Sequence, residues 1–181
     1  WTGCPRPRRD DPAGMTARDI RLFGDPVLRS ACDPVRIGAA GNAGLVEDLL
    51  DSVRLPGRAG VAANQIGVGL RAFSWNVDGE VGYVLNPVLV ETRGEPEPVD
   101  EGCLSVPGVG FPRLRRPWAR VEGVDLTGEP VVLEGDGLMA QMLQHEVDHL
   151  DGHLYIEGLA PEVKRAAMRE IRAQDWYRRP A

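Results

Sequence analysis

Five residues near the C-terminal end of the chain, His145 to His149, have the H-E-x-x-H pattern of a metal site. Apolar residues around them recur at helical intervals, so we predict a helix here. On a helix His145 and His149 lie one turn apart on one face, and both imidazoles can bind one metal ion. Glu146 stands beside them and can take a proton from metal-bound water. The pattern predicts a hydrolytic metal site, although two histidines on an apolar helix can also be ordinary core residues.

A catalytic metal site also needs a third protein ligand and an open position. The chain has three cysteines, Cys4, Cys32 and Cys103. Cys103 is our candidate, because Cys32 falls in the turn-rich N-terminal region. One thiolate and two imidazoles form an accepted catalytic set for zinc and suit other first-row metals. A lone cysteine is otherwise a small apolar filler, so the cysteine alone does not decide the question.

Length, charge and cysteine usage limit the class of protein. A chain of 181 residues suggests one domain. The odd number of cysteines without C-x-x-C spacing indicates a reducing compartment. A net charge of −6 argues against wholesale binding to nucleic acid, and no apolar run is long enough to span a membrane. We therefore expect a cytoplasmic protein that binds neither DNA nor a membrane. We also expect it to be a monomer.

The first residues differ in composition from the rest of the chain. Residues 1–14 combine arginines with prolines and have no apolar stretch, and Met15 opens a more ordinary pattern. We expect residues 1–15 to be a disordered extension, with Met15 as the candidate translational start. Residues 16–181 are expected to form a single catalytic domain.

Periodicity predicts the elements that must position these side chains. A helix is predicted from Leu45 to Val53, and a C-terminal helix from Pro161 to Trp176. Strands are predicted at 70–75, 81–86, 87–90, 119–126 and 130–133, with Asp78-Gly79 as a hairpin turn. Strands and helices do not alternate, which predicts an α+β fold. Its antiparallel or mixed sheets would pack around the central helix that carries the two histidines.

Small residues crowd the segment 57–67, which suits close approach of the backbone to a ligand. Gln65 within it carries an uncharged amide that can donate a hydrogen bond to an oxyanion. On its own this segment is equally consistent with a turn-rich connection.

Three motifs stand in order along the chain: Gly60 to Gln65, Glu101 to Ser105, and Gln144 to Gly152. Together they resemble the three signature motifs of peptide deformylases, the enzymes that remove the formyl group from the N-terminal formylmethionine of new bacterial proteins. The resemblance extends from about Asp25 to about Leu159, and the sequence is most similar to the actinobacterial branch of the family.

The resemblance implies a role for each residue of the site. The metal ligands would be Cys103, His145 and His149, and Glu146 would be the general acid/base, with metal-bound water as the nucleophile. Gln65 and the backbone N–H of Leu104 would bind the formyl oxygen. The substrate would also contact Gly60, Val61 and Gly102.

The resemblance also implies a cofactor and partners. One divalent ion would bind per chain, Fe²⁺ in the cell, with Zn²⁺, Ni²⁺ or Co²⁺ as substitutes. The substrate would be a nascent formylmethionyl polypeptide. Basic residues of the C-terminal segment, Lys164, Arg165, Arg169 and Arg172, would make a transient ribosome contact, although a solvated helix face explains them as well.

The first motif departs from the family pattern at two positions. Arg58 stands where the first motif usually has glycine, and Val61 replaces its usual leucine, which bears on substrate preference and turnover. Glu101 and Asp148 are candidates to orient the histidines. They are equally explained as partners of nearby arginines such as Arg113 or Arg120.

Two other functions compete with deformylation. A metallopeptidase is disfavoured because His153, only four residues beyond His149, is too close for a third ligand downstream, and we expect His153 at the surface. A deformylase-like fold with altered or lost activity, binding a metal or a partner, is the second alternative. It would have no need for Glu146 and Gln65.

Overall fold

The structure is a computed structural model that describes residues 17–178. The extension expected at residues 1–15 lies outside the described residues. The helices are α1 (Asn42–Val53), α2 (Gly137–Leu150), α3 (Pro161–Ala173) and α4 (Asp175–Arg178). The strands are β1 (Gly60–Ala62), β2 (Ala72–Val77), β3 (Glu80–Arg93), β4 (Glu97–Gly102), β5 (Gly110–Arg115), β6 (Trp118–Val124) and β7 (Pro130–Asp136). Short 3-10 turns occupy Pro26–Arg29, Ala63–Ile66 and Tyr155–Gly158.

The strands form two antiparallel sheets. Five strands pair in the order β1-β2-β3-β6-β7, and β4 pairs with β5 in a separate two-stranded sheet. The predicted α+β class with antiparallel sheets and a C-terminal helix is confirmed. None of the helices between residues 17 and 178 has the length and apolar character needed to cross a membrane.

Helix α2 is central to this arrangement, as predicted. It packs against all five strands of the larger sheet. Its apolar side forms the main core with side chains from the strands, including Leu143, Leu150 and Phe73, all fully buried. Each large apolar side chain buried in this way contributes about 1.5–3 kcal/mol. This packing fixes the helix, and with it the face that carries the histidines.

The hairpin turn at Asp78-Gly79 is also confirmed. Val77 pairs with Glu80, so the loop has two residues, and both have positive φ, 53° at Asp78 and 83° at Gly79. This is the backbone of a type I′ turn, whose twist matches that of the flanking strands.

The third strand differs from the prediction, because the two predicted pieces 81–86 and 87–90 form one strand, β3. The ladder with β6 shifts register between Leu85 and Val88, and Asn86 inside this bulge has φ of 52°. The side-chain amide of Asn86 accepts a hydrogen bond from the N–H of Val35 (2.7 Å) and donates one to its carbonyl (2.9 Å). Asn tolerates positive φ, and a bulge accommodates the missing N–H of Pro87.

The structure also differs from the prediction at the β4–β5 hairpin and at the C-terminal helix. The β4–β5 hairpin was missed, since 97–102 lacks a regular apolar alternation. The C-terminal helix ends at Ala173, because Gln174 is extended, and the short helix α4 follows.

Candidate metal centre

Helix α2 sets two imidazoles side by side. His145 Nε2 and His149 Nε2 are 3.1 Å apart, with ring centroids at 4.7 Å. The carbonyl of His149 accepts a hydrogen bond from the side-chain amide of Asn64, which ties the helix to the 3-10 turn after β1. The one-turn spacing therefore does place both rings on the same face.

Cys103 follows β4 and joins the two histidines, although 42 residues separate it from His145 along the chain. Its Sγ lies 3.2 Å from His149 Nε2, and the ligand atoms of all three residues lie within 4.8 Å of one another. Burial would raise the pKa of the Cys103 thiol, but the adjacent His149 and His145 outweigh it and hold this pKa well below its ordinary value.

These distances fit one tetrahedral metal ion. Metal–nitrogen bonds of about 2.0 Å and a metal–sulfur bond of about 2.3 Å set two nitrogens about 3.3 Å apart and the sulfur about 3.5 Å from each nitrogen. The distances of 3.1 Å and 3.2 Å agree to within a few tenths of an ångström. Within residues 17–178, this is the single group of histidine, cysteine or acidic side chains with such geometry.

Glu101 orients His145 from the side opposite the cysteine. His145 Nδ1 is 2.7 Å from Glu101 Oε1, which leaves Nε2 free to bind a metal. Arg115 donates two hydrogen bonds to the same carboxylate, at 2.6 and 2.8 Å, and both side chains are nearly inaccessible to solvent. Burial alone would raise the pKa of Glu101, but the hydrogen bonds with Arg115 and His145 lower it to about 2.

The second candidate carboxylate, Asp148, has a different place. It pairs with Arg113 at 3.1 Å and with Arg115 at 2.7 Å. Arg120, the other arginine considered, instead pairs on the surface with Glu122 and Glu134.

Arg115 was missed by the sequence analysis. The β pattern of 110–115 puts Arg113 and Arg115 on one face, which was the available signal.

Glu146 is nearly fully buried, at 3% exposure. Burial raises the pKa of its carboxyl to about 7, with the charges of His145 and His149 opposing the shift. Its Oε2 atom has no hydrogen-bond partner among the described residues. A buried carboxyl with a free oxygen and a pKa near neutrality is suited to take up and return a proton.

Gln65 is held in a fixed orientation beside the cysteine. Its Oε1 accepts a hydrogen bond from the N–H of Ala62, so its amide nitrogen points toward Ser105 Oγ (3.2 Å) and Cys103 Sγ (3.6 Å). No hydrogen bond from the backbone N–H of Leu104 is found within residues 17–178. Ser105, fully buried, was not singled out from the sequence.

A cavity of about 650 Å³ opens onto this group of residues. Its lining includes most of the predicted site residues: Gly60, Gln65, Gly102, Cys103, Leu104, His145 and Glu146. Val61 is not part of the lining, because its side chain is fully buried in the core behind β1. Arg58 does line the cavity. His153 is exposed and pairs with Glu157 at 3.2 Å, outside the metal-site group.

Comparison with known proteins identifies close relatives. The family model described as polypeptide deformylase matches residues 17–165. The chain is 47% identical over 162 residues to the peptide deformylase of Acidothermus cellulolyticus, a match that covers 90% of this chain and 89% of that protein. It is 45% identical over 179 residues to the peptide deformylase of Mycolicibacterium vanbaalenii, covering 90% of this chain and 91% of that protein.

Solved structures give the same result. The fold is similar to the crystal structure of a peptide deformylase from Legionella pneumophila, with a TM-score of 0.81, 33% identity and coverage of 91% of this chain and 99% of that one. The peptide deformylase of Thermus thermophilus gives a TM-score of 0.78 at 39% identity, covering 87% of this chain and 94% of that one.

Proposed function

The chain belongs to the polypeptide deformylase family, and we propose that Cys103, His145 and His149 are the ligands of its catalytic metal ion. Enzymes of this family remove the formyl group from the N-terminal formylmethionine of nascent polypeptides in a metal-dependent reaction, and this chain is an enzyme of that kind. The observation that supports the ligand assignment is the convergence of one sulfur and two Nε2 atoms within 4.8 Å. They lie beside a cavity large enough for a peptide terminus.

Held by Cys103, His145 and His149, a divalent ion would act as a Lewis acid and would lower the pKa of a water bound to it toward neutrality. The carboxyl of Glu146 then serves as the proton carrier. It accepts a proton from the attacking water at its free oxygen and returns that proton to the departing amine. Its burial raises the pKa of this carboxyl, which favours uptake of the proton.

Gln65 and the backbone N–H of Leu104 are proposed to bind the formyl oxygen as negative charge develops on it. The hydrogen bond from Ala62 fixes the Gln65 amide, so its N–H groups are aimed before the substrate arrives. The loss of one such donor typically costs about 3–4 kcal/mol of transition-state stabilisation. The polypeptide itself would contact Gly60 and Gly102 on the cavity wall.

Fe²⁺ is the proposed ion, with Zn²⁺, Ni²⁺ and Co²⁺ as substitutes. A thiolate with two imidazoles accommodates each of these ions, and the resemblance to the family supports iron. Protein purified without oxygen should contain one iron ion per chain by elemental analysis. Zinc alone in such protein would contradict the proposal.

The deciding experiment is formate release from a short formyl-Met peptide by protein loaded with Fe²⁺ or Ni²⁺, with Glu146→Ala alongside. We expect metal-dependent release that the variant lacks although it still binds the metal. Cleavage of an unformylated peptide would instead support a metallopeptidase. Tight metal binding without formate release would support the alternative of a deformylase-like fold that has lost its activity.

We also propose a transient ribosome contact through the outer face of α3. Lys164, Arg165, Arg169 and Arg172 line a shallow surface groove together with Pro161 and Met168. Closely spaced cations on one helix face can attract the phosphates of RNA. Reversal of three of these charges should abolish co-sedimentation with ribosomes, and unchanged co-sedimentation would end the proposal.

The protein is proposed to act as a monomer in the cytoplasm, where nascent chains emerge. Every residue assigned to the site comes from a single chain, so a second copy is not needed to complete it. Light scattering after gel filtration should give a mass close to 19.7 kDa. A stable dimer would contradict the monomer.

A further inference from the structure

We propose that Arg58 is a specificity-determining residue that favours substrates with an acidic side chain just after the formylmethionine. This inference rests on the proposed function. Arg58 lies two residues before β1 and lines the same cavity as Glu146 and Cys103. It is the single arginine or lysine among the described residues of the cavity lining.

The end of helix α1 fixes the position of this guanidinium. Arg58 Nη1 donates a hydrogen bond to the carbonyl of Ser52 (2.9 Å), which lies in the last turn of α1. In a longer helix that carbonyl would bond to the N–H of residue 56, but residue 56 is proline and has none. The negative end of the helix also attracts a cation. Arg58 is therefore tethered at the cavity wall.

The tether leaves most of the hydrogen-bonding capacity of Arg58 unused. A guanidinium carries five N–H donors in a planar fork, which suits a carboxylate. Within residues 17–178, the contact with Ser52 is the one hydrogen bond found for this group, and no carboxylate lies within 4.0 Å of it. In contrast, Arg113 and Arg115, on the β5 side, are paired with acidic side chains.

The surroundings of Arg58 add to its attraction for an anion. The side chain is half-buried, and burial lowers its pKa, which reflects the cost of a cation with little water around it. A carboxylate brought in by a substrate would offset that cost. Asp100, on the β4 side of the cavity, carries the opposite charge and stands outside the metal-site group.

When the formyl group of a peptide lies at the metal centre, the rest of the peptide must run along the cavity walls. Successive side chains of an extended peptide point in opposite directions. One of the side chains at the second and third positions of the substrate therefore points toward the wall that carries Arg58, and an acidic residue at that position can reach it. Partly exposed ion pairs of this kind change affinity by up to about fivefold.

The test compares formyl-Met peptides with amidated C-termini that carry Glu, Gln or Lys at the second or third position. For the wild-type enzyme, kcat/KM should be about two- to fivefold higher for Glu than for Gln, and lower again for Lys. Arg58→Gln should remove the difference between Glu and Gln, whereas Arg58→Lys should keep part of it. Screening by about 1 M salt should reduce the wild-type preference.

A matched control and a binding measurement separate the possible outcomes. Asp100→Asn should leave the preference for Glu over Gln in place. The affinities of the same peptides for metal-loaded Glu146→Ala report the preference without turnover. Equal values for Glu and Gln peptides in both measurements would overturn the role of Arg58 while deformylation stands. Failure to release formate from any peptide would overturn the proposed function, and the binding measurement would still decide the role of Arg58.

Discussion

Gly60 and Glu146 lie so close together that a side chain at position 60 would fit only if the Glu146 carboxyl moved. A Cβ atom built on Gly60 would stand 2.7 Å from Cδ of Glu146 and closer still to its Oε1, and real Cβ atoms essentially never approach within 3.0 Å. Gly60 does not have positive φ, so its backbone conformation is open to any residue. The requirement for glycine is therefore steric, and it protects the position of one carboxyl.

Gly60→Ala should displace the Glu146 carboxyl and lower kcat by about 10²–10⁴-fold, the usual contribution of a positioned general acid/base. The metal content should remain near that of the wild type, because none of the three ligands is touched. Formate release and elemental analysis measure the two quantities. Gly44→Ala is the matched control, since a Cβ on Gly44 meets nothing within 4 Å and alanine is the better helix former. Wild-type turnover in Gly60→Ala would contradict the prediction.

Glu101→Gln should weaken metal binding by about 10- to 100-fold, because His145 loses the carboxylate that orients its ring. The same change deprives the buried Arg115 of a charged partner and should lower the free energy of unfolding by about 1–3 kcal/mol. Competition with a chelator and urea denaturation check the two effects. Glu134→Gln removes an exposed partner of Arg120 and should cost less than about 1 kcal/mol. Unchanged metal content and turnover in Glu101→Gln would remove its orienting role.

Alkylation should distinguish the two cysteines of the described residues. In metal-free Cys4→Ser protein at about pH 8, iodoacetamide should modify Cys103, which lines the cavity, and a bound metal should protect it. Cys32 should resist until the protein unfolds, because burial raises its pKa to about 11 and leaves little thiolate under these conditions. Its reactivity should rise as the pH approaches that value. Peptide mapping by mass spectrometry reads out each site, and equal labelling of both cysteines in the folded protein would contradict this assignment.

Trp176→Phe should loosen the cavity wall from outside. The indole N–H of Trp176 donates to the carbonyl of Pro107 at 3.0 Å, and Pro107 lines the cavity. Loss of this hydrogen bond should cost about 0.5–1.5 kcal/mol of stability and raise KM more than it lowers kcat. Trp118→Phe is the control. Trp118 is the first residue of β6, stacks with Arg93 and lies outside the cavity lining. A change in kcat alone would show that Pro107 has a different role.

The sequence by itself determined the features that depend on local order along the chain. The spacing of His145 and His149 fixed two imidazoles on one face, because a helix repeats about every 3.6 residues. The Asp78-Gly79 pair fixed a tight hairpin, because its residues tolerate positive φ. The three motifs in order were enough to identify the family before any fold was known.

Only the tertiary structure decided which distant residues meet. Periodicity carries no information about contacts between residues far apart in sequence, so the partner of Glu101 could not be chosen among several arginines. In the β4–β5 ladder Glu101 lies opposite Phe111 and Arg115 lies opposite Glu97. The folded chain nevertheless brings Arg115 to Glu101, while Arg113 pairs with Asp148. The approach of Gly60 to Glu146 likewise exists only because β1 packs against α2, 86 residues later in the chain. Such contacts arise from packing, which is why the sequence could propose Glu101 as a support of His145 but could not identify Arg115 or the approach of Gly60.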